Sequence, residues 1–264
     1  MKRRPAPAGA LVDRSQIPPW LRPVTDDPSA VNEAVLRRGG NRARWAAAFQ
    51  AQRAAAVLVL FGGSFDPARD HPGGLPTDAD ILLTERAATM RTHSGQIAFP
   101  GGSRDPGDDY PVGTAMREAR EETGLRADGV QVLASLPTFP VPSGFEVTPV
   151  LGHWTSPSEV GVVDEAETSR VVRVNLRELL DPRHRFQVSR SIMGATAYKG
   201  PAFLYDDMLV WGFTGGLLAA ISQSAGWDVP WDTDDVRPLE QMIAATGGRQ
   251  VSGFPTMGED RGPE

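Results

Sequence analysis

At 264 residues, with 40% apolar content, the chain can bury the core of one large domain, or of one domain with extensions. A net charge of −6 argues against a nucleic-acid backbone as partner, and the absence of cysteine excludes disulfide frameworks and thiolate chemistry. The basic start leads into an apolar run too short for a secretory signal, and no stretch approaches the ~18 apolar residues of a membrane span, so the expectation is a soluble, cytoplasmic protein without a membrane partner.

Taken in chain order, residues 1–29 carry Pro-Ala-Pro and the run Ile17 to Pro23, and read as an extended, loosely ordered lead-in. Residues 30–53 pattern as helix. The β-branched and leucine-rich run 56–61, ended by Gly62 and Gly63, reads as a buried strand. Residues 64–79, with Pro67, Pro72 and Pro76, form a loop before a strand at 80–86. Further strands are expected at 129–136, 146–153, 170–175, 185–189 and 202–211. Helices are expected at 113–123, 176–180, 213–223 and 235–246, with a polar tail after Gly247. Trp211, Phe213 and Leu217 read as core at a strand-to-helix junction. No second core is evident, and the interleaved elements favour one α/β domain.

The segment 113–123 crowds its acids. On a helical wheel of about 100° per residue, Ala115, Met116, Ala119 and Thr123 share one arc, and Glu118, Glu121 and Glu122 another. Glu118 and Glu122 form a like-charge i,i+4 pair, which costs a few tenths of a kcal/mol on an exposed helix. Arg117 can pair with Glu121 and offset part of that cost. Gly124 stands where a left-handed helix stop is expected. A solvated acidic face explains the wheel alone; so does a divalent cation held by carboxylates and water, approached by the glycine-rich run Phe99 to Ser103.

The spacing favours the cation. Arg117 to Leu125, Arg-Glu-Ala-Arg-Glu-Glu-Thr-Gly-Leu, resembles the core of the Nudix box, R-E-U-x-E-E-x-G-U with U apolar. The resemblance to the Nudix hydrolase superfamily implies an α/β/α sandwich with a mixed sheet. It also implies hydrolysis of a nucleoside diphosphate derivative with Mg²⁺ or Mn²⁺. It implies Glu118, Glu121 and Glu122 as metal ligands, Arg117 as the group orienting a glutamate, and a carbonyl of Gly101 or Gly102 as a further ligand. Counting back from Arg117 puts Asp109 at the box's first acid and Ser103 at its glycine, so the approach loop is one residue longer than the general pattern.

A second signature narrows the branch. Leu82 to Gly102 matches L-L-T-x-R-[SA]-x3-R-x3-G-x3-F-P-G-G, the mark of coenzyme A pyrophosphatase-like Nudix proteins, and Gly101, Gly102, Asp105 and Asp108 match that branch's longer approach. The resemblance implies cleavage of coenzyme A or acyl-coenzyme A to 3′,5′-ADP and 4′-phosphopantetheine or its acyl form. Arg86, Arg91 and His93 stand just before the glycine turn and suit the substrate phosphates. In the later acidic loop, Glu167 best matches an acid of this branch and is a candidate general base, beside a box glutamate such as Glu121. NADH, ADP-ribose or a silent nucleotide-binding role stay open, as does a homodimer. The expected division is an N-terminal extension over 1–45, partly helical after its loose start, a Nudix domain over 46–224, and a C-terminal helical extension with a frayed tail over 225–264.

Overall fold

The computed structural model describes residues 8–38, 53–88, 95–141, 143–192 and 195–247. The chain opens with β1 (Gly9–Ala10), α1 (Arg22–Asp26) and α2 (Pro28–Arg38). The long strand β2 (Arg53–Gly62) follows, then β3 (Asp80–Arg86) and the short strands β4 (Ile97–Ala98) and β5 (Gly101–Ser103). Helix α3 (Val112–Thr123) leads to β6 (Val130–Ser135), β7 (Phe139–Pro140), β8 (Phe145–Trp154) and β9 (Thr168–Asn175). The last part runs through α4 (Leu176–Leu179), β10 (Arg185–Ile192), β11 (Ala195–Tyr205), β12 (Met208–Val210), α5 (Gly212–Ser224), β13 (Val236–Pro238) and α6 (Leu239–Ala245).

Among the described residues the main sheet has nine strands along the path β1-β6-β8-β2-β3-β4, with β5 paired to β2, β7 to β8 and β9 to β3. It is mixed, because β2 and β8 run parallel while β3, β5 and β6 join antiparallel. Alternation along β2 splits its side chains between the faces. Ala56, Leu58 and Leu60 meet Ala115 and Ala119 of α3 on one face. Val59 and Phe61 share the other face's core with Trp20 ahead of α1, Val24 of α1, Val31 of α2, and Leu218 and Ile221 of α5. This is the α/β/α sandwich.

The lead-in expected to be loose is instead part of the core. Ile17, Trp20, Leu21 and Val24 are buried, and the Trp20 ring centroid stands 5.6 Å from that of Trp227 and 6.1 Å from that of Phe61. The prolines keep Ile17 to Leu21 out of regular structure but leave its apolar side chains free to bury. The strand expected over 202–211 is a hairpin, β11 and β12, turned at Asp206 (φ 51°) and Asp207. A second core also exists: among the described residues β12-β11-β10-β13 form a four-stranded sheet whose Phe186, Val188 and Leu209, with Trp211 just after β12, pack against Leu239 and Met242 of α6.

Candidate active site

The acidic segment folds as strand, loop and helix. β5 lies antiparallel beside β2, with Gly102 opposite Ala56 and Gly101 opposite Val57. Helix α3 buries Thr114, Ala115, Ala119 and Thr123 toward the sheet and ends at Gly124, whose φ of 69° is the expected left-handed stop. With that stripe committed to the core, the acidic arc is turned toward β5 and the loop ahead of the helix.

Two carboxylates lie against the two glycines. The Gly101 N–H donates to Glu122 Oε2 at 3.1 Å. A Cβ placed on Gly102 would stand 2.5 Å from the carboxyl carbon of Glu118, so only glycine leaves room for that carboxylate against the strand. The Glu122 carboxyl is pushed up to about 7, chiefly by burial and in smaller part by Glu118 and Glu167, against the downward pull of the Gly101 N–H and Arg86. Burial also raises Glu118, against the pull of Arg117. Carboxylates whose charged forms are penalised by burial and by each other suit a shared cation.

Arg117 organises the remainder. Its guanidinium donates to Glu121 Oε2 at 2.9 Å and to the Ser103 carbonyl at 2.9 Å, and stands 3.0 Å from Glu118 Oε1. Its Nε and Nη2 both bind the Asp108 carboxylate, at 3.2 and 3.0 Å. Asp108 accepts further bonds from the Asp105 N–H and the Thr114 hydroxyl, each at 2.9 Å. Arg117 and these donors hold it far below the usual carboxylate range. Counting along the general box points to Asp109; that residue contributes its main-chain carbonyl to the Gly113 N–H at the helix start. The signal that finds Asp108 is the longer glycine-to-aspartate spacing of the second signature.

Sequence reasoning missed Tyr110, whose hydroxyl donates to the Ala55 carbonyl at 3.1 Å and stands 2.6 Å from Thr148 Oγ1, tying the loop to β2 and β8. It also missed Arg170, which pairs with the buried Glu85 at 2.9 Å.

Arg86 ends β3 and Glu167 is exposed just before β9; the Ala87 N–H donates to the Glu167 carbonyl at 2.9 Å. Both side chains act on the Glu122 charge, so the structure gathers Arg86, Glu118, Glu122 and Glu167 in one electrostatic neighbourhood. Arg91 and His93 lie outside the described residues. Among the described residues, no group of three or more His, Asp or Glu stands as a ready metal cage. Arg117 draws Glu118 and Glu121 toward itself. The donor set still fits a hard cation such as Mg²⁺, which takes one or two carboxylates and keeps several waters. No described helix is long and apolar enough to cross a membrane.

The family model described as the NUDIX domain matches residues 67–192, from the loop before β3 to the end of β10. An uncharacterized Nudix hydrolase, NudL of Cronobacter sakazakii, is 34% identical over 182 residues, covering 66% of this chain and 84% of that protein. NudL of Pectobacterium atrosepticum is 36% identical over 169 residues, covering 63% of this chain and 80% of its own. Among solved structures, a Nudix hydrolase from M. smegmatis, RenU, aligns with a TM-score of 0.37 at 25% identity, over 49% of this chain and 74% of that one. With identity sustained over most of NudL, and with an acidic helix facing a glycine strand, the chain belongs to the Nudix hydrolase family.

Proposed function

We propose that this chain is a cytoplasmic, divalent-metal-dependent hydrolase that splits the pyrophosphate of coenzyme A or acyl-coenzyme A into 3′,5′-ADP and 4′-phosphopantetheine or its acyl form. The observation that supports the reading is the placement of Glu122 and Glu118 on the backbone of Gly101 and Gly102, at the end of the Leu82–Gly102 signature.

In this reading Glu118, Glu121 and Glu122, with a carbonyl of Gly101 or Gly102, hold Mg²⁺ or Mn²⁺. When bound, the ion offsets charge on the phosphates and lowers the pKa of water. Arg117 keeps Glu118 and Glu121 in place through bonds at 3.0 and 2.9 Å. Arg86, with Arg91 and His93, binds substrate phosphates; a guanidinium does so bidentately. Glu167, exposed at the edge of the site, takes a proton from the attacking water. The carboxylate pair disfavours a phosphate ester bound without a cation, which sets the order of assembly.

The test is a panel of coenzyme A, acetyl-coenzyme A, NADH and ADP-ribose incubated with Mg²⁺ or Mn²⁺, products separated by chromatography. The reading expects 3′,5′-ADP from the coenzyme A compounds at the highest kcat/KM. Preferred cleavage of NADH or ADP-ribose removes the substrate assignment. Nucleotide binding without turnover makes the chain a silent binding protein.

A further inference from the structure

The last turn of β3 is built unlike the rest of that strand. Glu85 and Arg170 are direct cross-strand partners, but Arg86 pairs with Thr168, so Ser169 is an extra residue and β9 bulges there. Bulges re-aim the chain and occur next to active sites. The Ser169 hydroxyl donates to the Glu85 carbonyl at 3.3 Å, and the main chain of Arg86 is fixed on its other side by a bond from its N–H to the Gln96 carbonyl at 3.1 Å. Alternation sets Leu82, Thr84 and Arg86 on the α3 face and Leu83 and Glu85 on the opposite face.

Glu85 is a buried carboxylate, 6% exposed, and the Arg170 guanidinium reaches it at 2.9 Å. The same guanidinium binds Asp207 at 2.9 Å. Asp207 sits in the β11–β12 turn of the second sheet, beyond the residues 67–192 that match the family model. A charge triad therefore crosses from the second sheet, through β9, to the residue next to Arg86.

We propose that Glu85, Arg170 and Asp207 are positioning residues, and that the second sheet uses them to hold the end of β3, opposite the β9 bulge, so that Arg86 meets the substrate phosphates. This rests on the reading of Arg86 as a phosphate-binding group. Asp207 is the useful handle, because it is exposed at a turn and its replacement leaves the buried Glu85–Arg170 pair in place.

The experiment is a double-mutant cycle of D207N and R86Q, with D207E as the conservative variant, read as KM and kcat for coenzyme A and as calorimetric affinity for 3′,5′-ADP. The expected result is a rise in KM on the order of threefold to tenfold for D207N with kcat within about twofold. Recovery in D207E and no further rise when D207N is added to R86Q complete the expectation. An unchanged KM in D207N, or effects of D207N and R86Q that simply add, overturns the proposal. If the wild-type chain hydrolyses nothing, the functional reading fails, while the affinity for 3′,5′-ADP still decides the positioning role: no loss in D207N, or no binding by the wild type, overturns it.

Discussion

Glu122 carries the clearest consequence at the scale of single residues. Its carboxyl is raised by burial to about 7 from an ordinary value of 4.5. The metal-free folded chain therefore holds this proton more tightly than the unfolded chain does. The stability it contributes is complete below about pH 4.5 and is lost as pH rises through about 7. The difference has a ceiling of roughly 3 kcal/mol. In chelator, the wild-type midpoint of unfolding should fall across that window relative to Glu122→Gln; parallel curves would count against the burial of this charge. Gly102 makes a second prediction. A Cβ there meets the far end of a flexible side chain, at 2.5 Å from the Glu118 carboxyl carbon. Gly102→Ala should thus fold normally with Glu118 displaced, and Mn²⁺ affinity should drop at least about tenfold by titration; unchanged affinity would separate Glu118 from the metal. Spacing made the glutamates and glycines legible, because a helix repeat and a motif both depend on spacing. Arg170 was invisible because its partners Glu85 and Asp207 are remote in sequence.

Among the elements, those with strong local pattern were read closely. The strand expected at 80–86 is β3 itself, and the helix expected at 113–123 is α3 with one residue added. Where tertiary burial overrides local signal, reading failed. β4 and β5 are two and three residues long, and β5 holds two glycines, so only pairing with β2 makes it a strand. The lead-in is the sharper case: prolines spoke for disorder, while Trp20 packs fully buried, its indole N–H donating to the Ser64 carbonyl at 3.0 Å. Trp20→Ala should cost about 3–5 kcal/mol in denaturant unfolding. A loss under about 1 kcal/mol would return this segment to the role of a loose extension.

Over the whole molecule, the segment after α5 is bound into both cores. Trp227 is buried beside Trp20 and Phe61 and donates its indole N–H to the Trp20 carbonyl at 3.1 Å. Asp228 pairs at 3.0 Å with Arg185, a fully buried guanidinium 4.8 Å from the centre of the Trp231 ring. A chain cut after Ser224 should therefore lose cooperative unfolding, since it strips the carboxylate from a buried cation and opens the aromatic core; a sharp transition near the wild-type midpoint would show the segment to be dispensable. The ion pairs from Asp207 through Arg170 to Glu85 likewise tie the second sheet to β3 of the main sheet.

The central claim is that the glutamates of α3, set on the glycine strand, form a cation site for phosphoanhydride cleavage. Its most direct test is the rate of 3′,5′-ADP release from coenzyme A by wild-type and Glu122→Gln chains, with Mg²⁺ and with chelator. The account predicts release by the wild type with Mg²⁺ alone, and a fall on the order of a hundredfold or more in the variant. Equal release with chelator, or by Glu122→Gln at the wild-type rate, would contradict it.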